Sequence, residues 1–291
     1  MFVPVIGSLL GAAALVATEP TYAVKVEPDV VYGTAEGYWT EAPEDFWGLS
    51  GRLFKRKNSR HSQDLTLDIY LPADDKPAGP RPLMLMMHGG AYLFGSKTEK
   101  GQVEWCRYFA SLGYVAVSIN YRLGFSLEKE AVLHAEKDAT EDACMALRYL
   151  LGREDLRIDP GYIYLAGTSA GAATALAVAY GSNEFRGQIR AIANLWGFVH
   201  DLDILKNASV PILSFQSEKD PVVPYREGRP MMSPYSYGTL SIHQKAVSLG
   251  IPSEHHPCPE KGHRLHLDKE MELTPRFYEI RDAMVRFFAK Y

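Results

Sequence analysis

A serine between two glycines, Gly167-Thr-Ser-Ala-Gly171, has the spacing G-x-S-x-G. Tyr162 to Ala166 before it reads as a short buried strand, and Ala172 to Tyr180 after it as a small-residue helix. A serine on so tight a strand-to-helix turn is strained, and glycines two positions either side relieve the crowding. The helix N-terminus behind it offers unpaired N–H groups to a developing negative charge. The chemistry this suits is nucleophilic attack on a carbonyl. A serine hydroxyl needs a base to take its proton, and the base needs a carboxylate to orient it.

His88-Gly-Gly-Ala-Tyr92 follows the apolar run Leu83 to Met87. Consecutive glycines let the chain turn and bring bare N–H groups near a substrate. Donors held in place there stabilise the charge that attack puts on the carbonyl oxygen. The backbone N–H of Gly90 or Ala91, and that of Ala170, are the expected donors, with His88 as a structural support. For the acid, Asp220 stands just past the strand Pro211 to Gln216. Glu218, Asp201 and Asp203 are its rivals. For the base, His263 sits in Glu260-Lys-Gly-His-Arg264, where Gly262 lets the backbone bend; His266 is its rival. The group His255, His256, Cys258, His263 and His266 matches no standard zinc spacing, so neither metal nor cofactor is expected. Tyr92 and Trp196 are candidate substrate contacts. Leu93, Phe94, Phe198, Met231, Met232, Tyr235 and Tyr237 are further candidate walls, and 221–238 is a candidate partial lid.

These groups need a scaffold. Residues 24–62 look irregular, and Leu65 to Leu71 alternates like a half-exposed strand near a sheet edge. Strands are expected at Leu83–Met87, Tyr114–Asn120, Ile189–Leu195, Pro211–Gln216 and Ser253–Cys258. Helices are expected at Glu99–Leu112, over an alanine-rich face from Ala135 to Leu150, at Thr239–Leu249 and at Leu273–Lys290. The last should bury Phe277, Ile280, Met284, Val285 and Phe288. Such alternation predicts an α/β chain with a mostly parallel sheet covered on both faces, and one domain without linker or repeat. In such sheets reactive groups collect at the carboxyl ends of the strands, where every residue singled out falls.

The chain has 291 residues, is 46% hydrophobic and carries a formal charge of −4. No basic stripe suggests nucleic-acid binding. Three cysteines, Cys106, Cys144 and Cys258, are too few for a disulfide scaffold, though they allow one bridge. Val3 to Ala17 is uncharged and apolar, short for a bilayer span, with small residues at Ala17 and Ala23. Residues 1–23 are expected to be a signal peptide, although no basic residue precedes the apolar run; 24–291 are then the catalytic domain of a secreted or periplasmic protein. No integral membrane span is expected in the mature form.

The order Ser169, Asp220, His263 is that of hydrolases built on a nucleophile elbow. With His88–Tyr92, Ile119-Asn-Tyr-Arg-Leu-Gly124, Gly167–Gly171, Asp220-Pro-Val-Val-Pro-Tyr225 and Lys261-Gly-His263, the chain resembles the α/β-hydrolase superfamily from about Asp64 onward. Within it, the chain is similar to small serine esterases and lipases of the carboxylesterase or feruloyl-esterase-like kind. Ala91 replaces the third glycine usual in hormone-sensitive-lipase relatives. The resemblance implies an α/β-hydrolase fold and metal-free hydrolysis of a small-molecule or carbohydrate-linked ester by a Ser–His–Asp triad through an acyl-enzyme. A serine peptidase, a formamidase-like amide hydrolase and a non-catalytic binding protein are the alternatives.

Overall fold

Along the central strands, successive side chains enter two different cores. Leu83, Leu85 and Met87 point to one face, and Met84 and Met86 to the other, all fully buried. A strand buried on both faces must be covered by helices on both sides. The structure, a computed structural model, describes residues 19–38, 40, 60–73, 78–124, 131–229 and 234–291. Its strands are β1 (Val24–Gly37), β2 (His61–Pro72), β3 (Arg81–Met87), β4 (Val115–Ile119), β5 (Ile158–Thr168), β6 (Ile189–Leu195) and β7 (Ile212–Ser217). A short ribbon, β8 (Glu227–Gly228) and β9 (Ser236–Tyr237), precedes β10 (Ser253–Cys258). The eight-stranded sheet runs β1-β2-β4-β3-β5-β6-β7-β10. It is antiparallel at β1–β2–β4 and parallel from β4 to β10.

Helices α1 (Lys100–Ser111) and α5 (Pro275–Phe288) cover one face through Trp105, Phe109, Phe277 and Phe288. Helices α2 (Ala131–Leu151), α3 (Ala170–Leu176) and α4 (Thr239–Ser248) cover the other. The alanine face of α2 is buried as its spacing predicts: Ala139, Ala143 and Ala146 lie flat on the sheet with Leu147 and Leu150. On α5, Val285 is only partly buried, and Ala283 and Phe287 complete the stripe. A single π-type turn, Ala177–Gly181, follows α3.

Two expectations are corrected. The stretch read as irregular contains β1, a 14-residue edge strand paired with β2. Its pattern is hidden by bulges between Glu27 and Val30 and between Val31 and Gly33, which shift the register and accommodate Pro28. From Leu67 on, β2 is buried rather than half exposed. Its polar Asp68 is neutralised by the Lys97 ammonium, 2.6 Å away. The expected leader lies, apart from its last residues, outside the described residues, as do Met231 and Met232. All three cysteines are free and buried. Among the described residues no helix is long and apolar enough to cross a membrane.

Candidate active site

Ser169 stands between β5 and α3 with φ 51° and ψ −117°, a left-handed backbone that strains any side chain. The two glycines are there for lack of space. A Cβ on Gly167 would lie 2.4 Å from the Gly171 carbonyl carbon, and one on Gly171 would lie 2.4 Å from the His88 carbonyl oxygen. The elbow is therefore pressed against the end of β3. Gly89 completes the fit, since a Cβ there would stand 3.3 Å from that of Ser169.

His263 Nε2 lies 2.9 Å from Ser169 Oγ. On the other side of the ring, Nδ1 is 2.8 and 3.1 Å from the two carboxylate oxygens of Asp220. A carboxylate only accepts, so Nδ1 carries the hydrogen, and Nε2 is left to accept from the serine hydroxyl. The Asp220 side chain is fully buried and also accepts from the N–H of Val222 and Val223 and from Gln216. Ser217 Oγ donates to the Glu260 carbonyl, tying the loop after β7 to the one after β10. An imidazole held in this way can draw the proton from the hydroxyl as it attacks.

The rival residues have other partners. Asp201 accepts from the Asp203 N–H, and Asp203 pairs with Lys206 and Lys245. Glu218 is exposed on the turn before Asp220. His266 bonds Glu99 at 3.1 Å. His255 and His256 lie in β10, stacked on Tyr225 and Phe215.

Beside the serine, Gly90 has φ 119° and Ala91 φ 54°, and Ala170 is the first residue of α3. Among the described residues, no hydrogen-bond partner is found for the N–H groups of Gly90, Ala91 or Ala170. Free N–H groups on both sides of a serine hydroxyl can stabilise an oxyanion. His88 supports this turn from beneath: buried and stacked on Tyr121 at 4.2 Å, it donates from Nδ1 to the Gly89 carbonyl at 2.7 Å. Burial pushes its pKa down to about 4, so it is neutral near pH 7. The Tyr121 hydroxyl donates to the His88 carbonyl at 2.5 Å, and the buried Arg122 pairs with Asp142. The Ile119–Gly124 segment thus braces the turn, a role its sequence alone did not disclose.

Tyr92 and Trp196, the candidate substrate contacts, are each only 1% exposed and have partners within the framework. The Tyr92 hydroxyl donates to the Ala170 carbonyl at 3.0 Å, locking the elbow. Trp196 stacks on His266 at 5.2 Å and presents an edge to His263 at 6.4 Å. A small apolar cluster of Ala173, Phe198 and Val223 joins α3 to the loops after β6 and β7, near the reactive side chains.

The BD-FAE family model matches residues 67–197. Gut esterase 1 of Caenorhabditis elegans is 32% identical over 127 residues, 42% of this chain and 22% of that protein. The non-reducing polyketide synthase adrD of Penicillium roqueforti is also 32% identical over 127 residues, 42% of this chain and 5% of the synthase. The chain thus spans a small part of the curated relatives it matches. Among solved structures, the apo form of Thermogutta terrifontis esterase 2 superposes with a TM-score of 0.62 at 19% identity, covering 92% of this chain and 94% of that one. At such identity the likeness shows the fold.

Proposed function

We propose that the chain is an α/β-hydrolase of the esterase/lipase type that hydrolyses carboxylic esters with Ser169, His263 and Asp220 as its catalytic triad. The observation that carries the reading is the unbroken relay from Ser169 Oγ through both nitrogens of His263 to Asp220, at 2.9 and 2.8 Å. Ser169 Oγ attacks the ester carbonyl carbon while its proton passes to Nε2. Asp220 holds the ring and stabilises the imidazolium that forms. The negative charge on the carbonyl oxygen rests on the N–H of Ala170 and of Gly90 or Ala91. The C–O bond then breaks, the alcohol leaves with the proton from His263, and an acyl-serine remains. Water, deprotonated by the same imidazole, releases the acid and restores the hydroxyl.

The substrate class is a small-molecule or carbohydrate-linked ester. Graded p-nitrophenyl esters test the reading, run beside acetylated xylan, methyl ferulate and the amide matching the best ester. Ester turnover that vanishes in Ser169→Ala while the variant stays folded supports it. Turnover that survives Ser169→Ala overturns it, and preference for the amide replaces the ester with an amide substrate.

A further inference from the structure

His266 lies three residues past His263, in a loop that runs without helix or strand from the end of β10 to the start of α5. So long a loop does not by itself hold an imidazole to within a few tenths of an ångström. Its internal ties are local. Thr274 Oγ1 donates to the Leu265 carbonyl at 2.6 Å, and the Thr274 N–H to the His266 carbonyl at 3.1 Å. Two ion pairs reach across to the start of α1, just past the glycine turn. One is Lys100 with Glu272, both exposed and so free to move and screened by water. The other is Glu99 Oε1 with His266 Nε2 at 3.1 Å, where His266 is 1% exposed and Glu99 17%.

The surroundings are shaped for this second contact. The His266 ring lies between two indoles, stacked on Trp105 at 5.0 Å and on Trp196 at 5.2 Å. Trp196 in turn touches His263 edge-on. Room for the ring comes from a glycine in the first turn of α1: a Cβ on Gly101 would lie 2.3 Å from His266 Cδ2. Glycine is a poorer helix former than alanine, so its presence there favours the ring over the helix. Glu99 is the N-cap residue of α1 but makes no capping bond with its side chain. Its carboxylate is turned to His266 instead. Burial alone would raise the Glu99 pKa, yet the bond from His266 holds it below the ordinary value. Nδ1 of His266 is buried without a partner among the described residues, so the ring's orientation rests on the Nε2 bond and the stacking.

We infer that Glu99 and His266 are positioning residues, whose hydrogen bond fastens the loop carrying His263 to the segment carrying the oxyanion glycines. The pair touches neither substrate nor Ser169. It acts by fixing where His263 Nε2 stands relative to the hydroxyl and the N–H donors, which are carried by different loops. The inference rests on the triad reading above.

The test measures kcat and KM for the best p-nitrophenyl ester, per site titrated to completion with a fluorophosphonate. The proteins are wild type, His266→Phe, Glu99→Ala, the double variant and Glu99→Gln. His266→Phe keeps a ring between the indoles but cannot donate. Glu99→Gln keeps an acceptor oxygen at the same reach. Misplacement of a catalytic group by about 1 Å can cost on the order of 10²-fold, so His266→Phe and Glu99→Ala should each lower kcat by about ten- to a hundredfold. KM should stay within about threefold, the double variant should be no slower than the slower single, and Glu99→Gln should keep most of the wild-type rate. Values of kcat per titrated site within about twofold of wild type in both single variants overturn the inference. So do losses that multiply in the double variant, or a Glu99→Gln enzyme as slow as Glu99→Ala. A wild-type protein that neither turns over esters nor labels at Ser169 instead overturns the triad reading itself.

Discussion

Gly171 meets the end of β3 without a gap: a Cβ on it would lie 2.2 Å from the Met87 carbonyl oxygen. The obstacle is backbone, which cannot swing aside as a side chain can. Gly171→Ala should therefore lower the free energy of unfolding by at least about 3 kcal/mol, the upper range for overpacking, and displace the serine turn. Gly187→Ala is the control, because its φ of 82° is strained but a Cβ meets nothing within 4 Å. It should cost only about 1–2 kcal/mol. Urea unfolding of the two variants measures the difference, and equal midpoints would show that the contact can relax.

Asp220 accepts from His263 Nδ1 while two backbone N–H groups and Gln216 hold it in place. Asp220→Asn would fit the same site but would present an amide to the ring. Its NH₂ donates, which favours the wrong tautomer, with Nε2 protonated and unable to accept from Ser169. A fall in kcat on the order of 10⁴ is expected, with the fold retained. Steady-state kinetics alongside circular dichroism check this, and a loss of less than tenfold would mean that Asp220 does not orient the base.

Lys97 is 2% exposed and bonds Asp68, itself 7% exposed, at 2.6 Å, and the largely exposed Asp29 at 2.7 Å. Burial alone would lower the Lys97 pKa, but these two carboxylates raise it, so the ammonium stays charged between β1 and β2. Asp68→Ala leaves that charge with only a solvent-facing partner. Removing one member of a buried pair typically costs about 3–5 kcal/mol, and a loss in that range is expected in urea unfolding. Lys97→Met with Asp68→Leu removes both charges and should recover much of it.

How far these features could be read in advance follows from their physics. The runs Leu83–Met87 and Ile189–Leu195 announce buried strands because nearly every residue is apolar, and the structure places them at β3 and β6. Ser169 and the glycines around it are legible because an elbow allows few residue types. Strand β1 is not legible, since its bulges break the alternation and its charged residues face solvent. Nor is Asp68, whose alternation with apolar neighbours suggests exposure; the distant Lys97 and the Asp29 N–H make its burial tolerable. Tyr92 and Trp196 follow candidate loops, and an aromatic at such a place reads equally well as pocket wall or as packing. What the sequence does not show is the bond from Tyr92 to the Ala170 carbonyl and the stack of Trp196 on His266.

Buried His88 should make the protein acid-sensitive. Its pKa is pushed down to about 4 by burial, against an unfolded value of about 6.5. The unfolded chain therefore binds the proton first as pH falls. The stability this group contributes is fully present above about pH 6.5 and is lost progressively down to about pH 4. His255, half buried and also lowered to about 4 by burial, has the same sign. His200 has the opposite sign: burial would lower its pKa, but Glu136 raises it, so its contribution is lost only as pH rises above about 6.5. Between pH 7 and pH 5, His88 alone should account for about 2 kcal/mol of lost stability. Urea unfolding at the two pH values, for wild type and His88→Gln, isolates this part. The variant should be less stable at pH 7, but its loss between pH 7 and pH 5 should be smaller than that of wild type by about 2 kcal/mol. An unchanged difference would mean that His88 is protonated in the folded protein and that its bond to the Gly89 carbonyl does not hold a neutral ring.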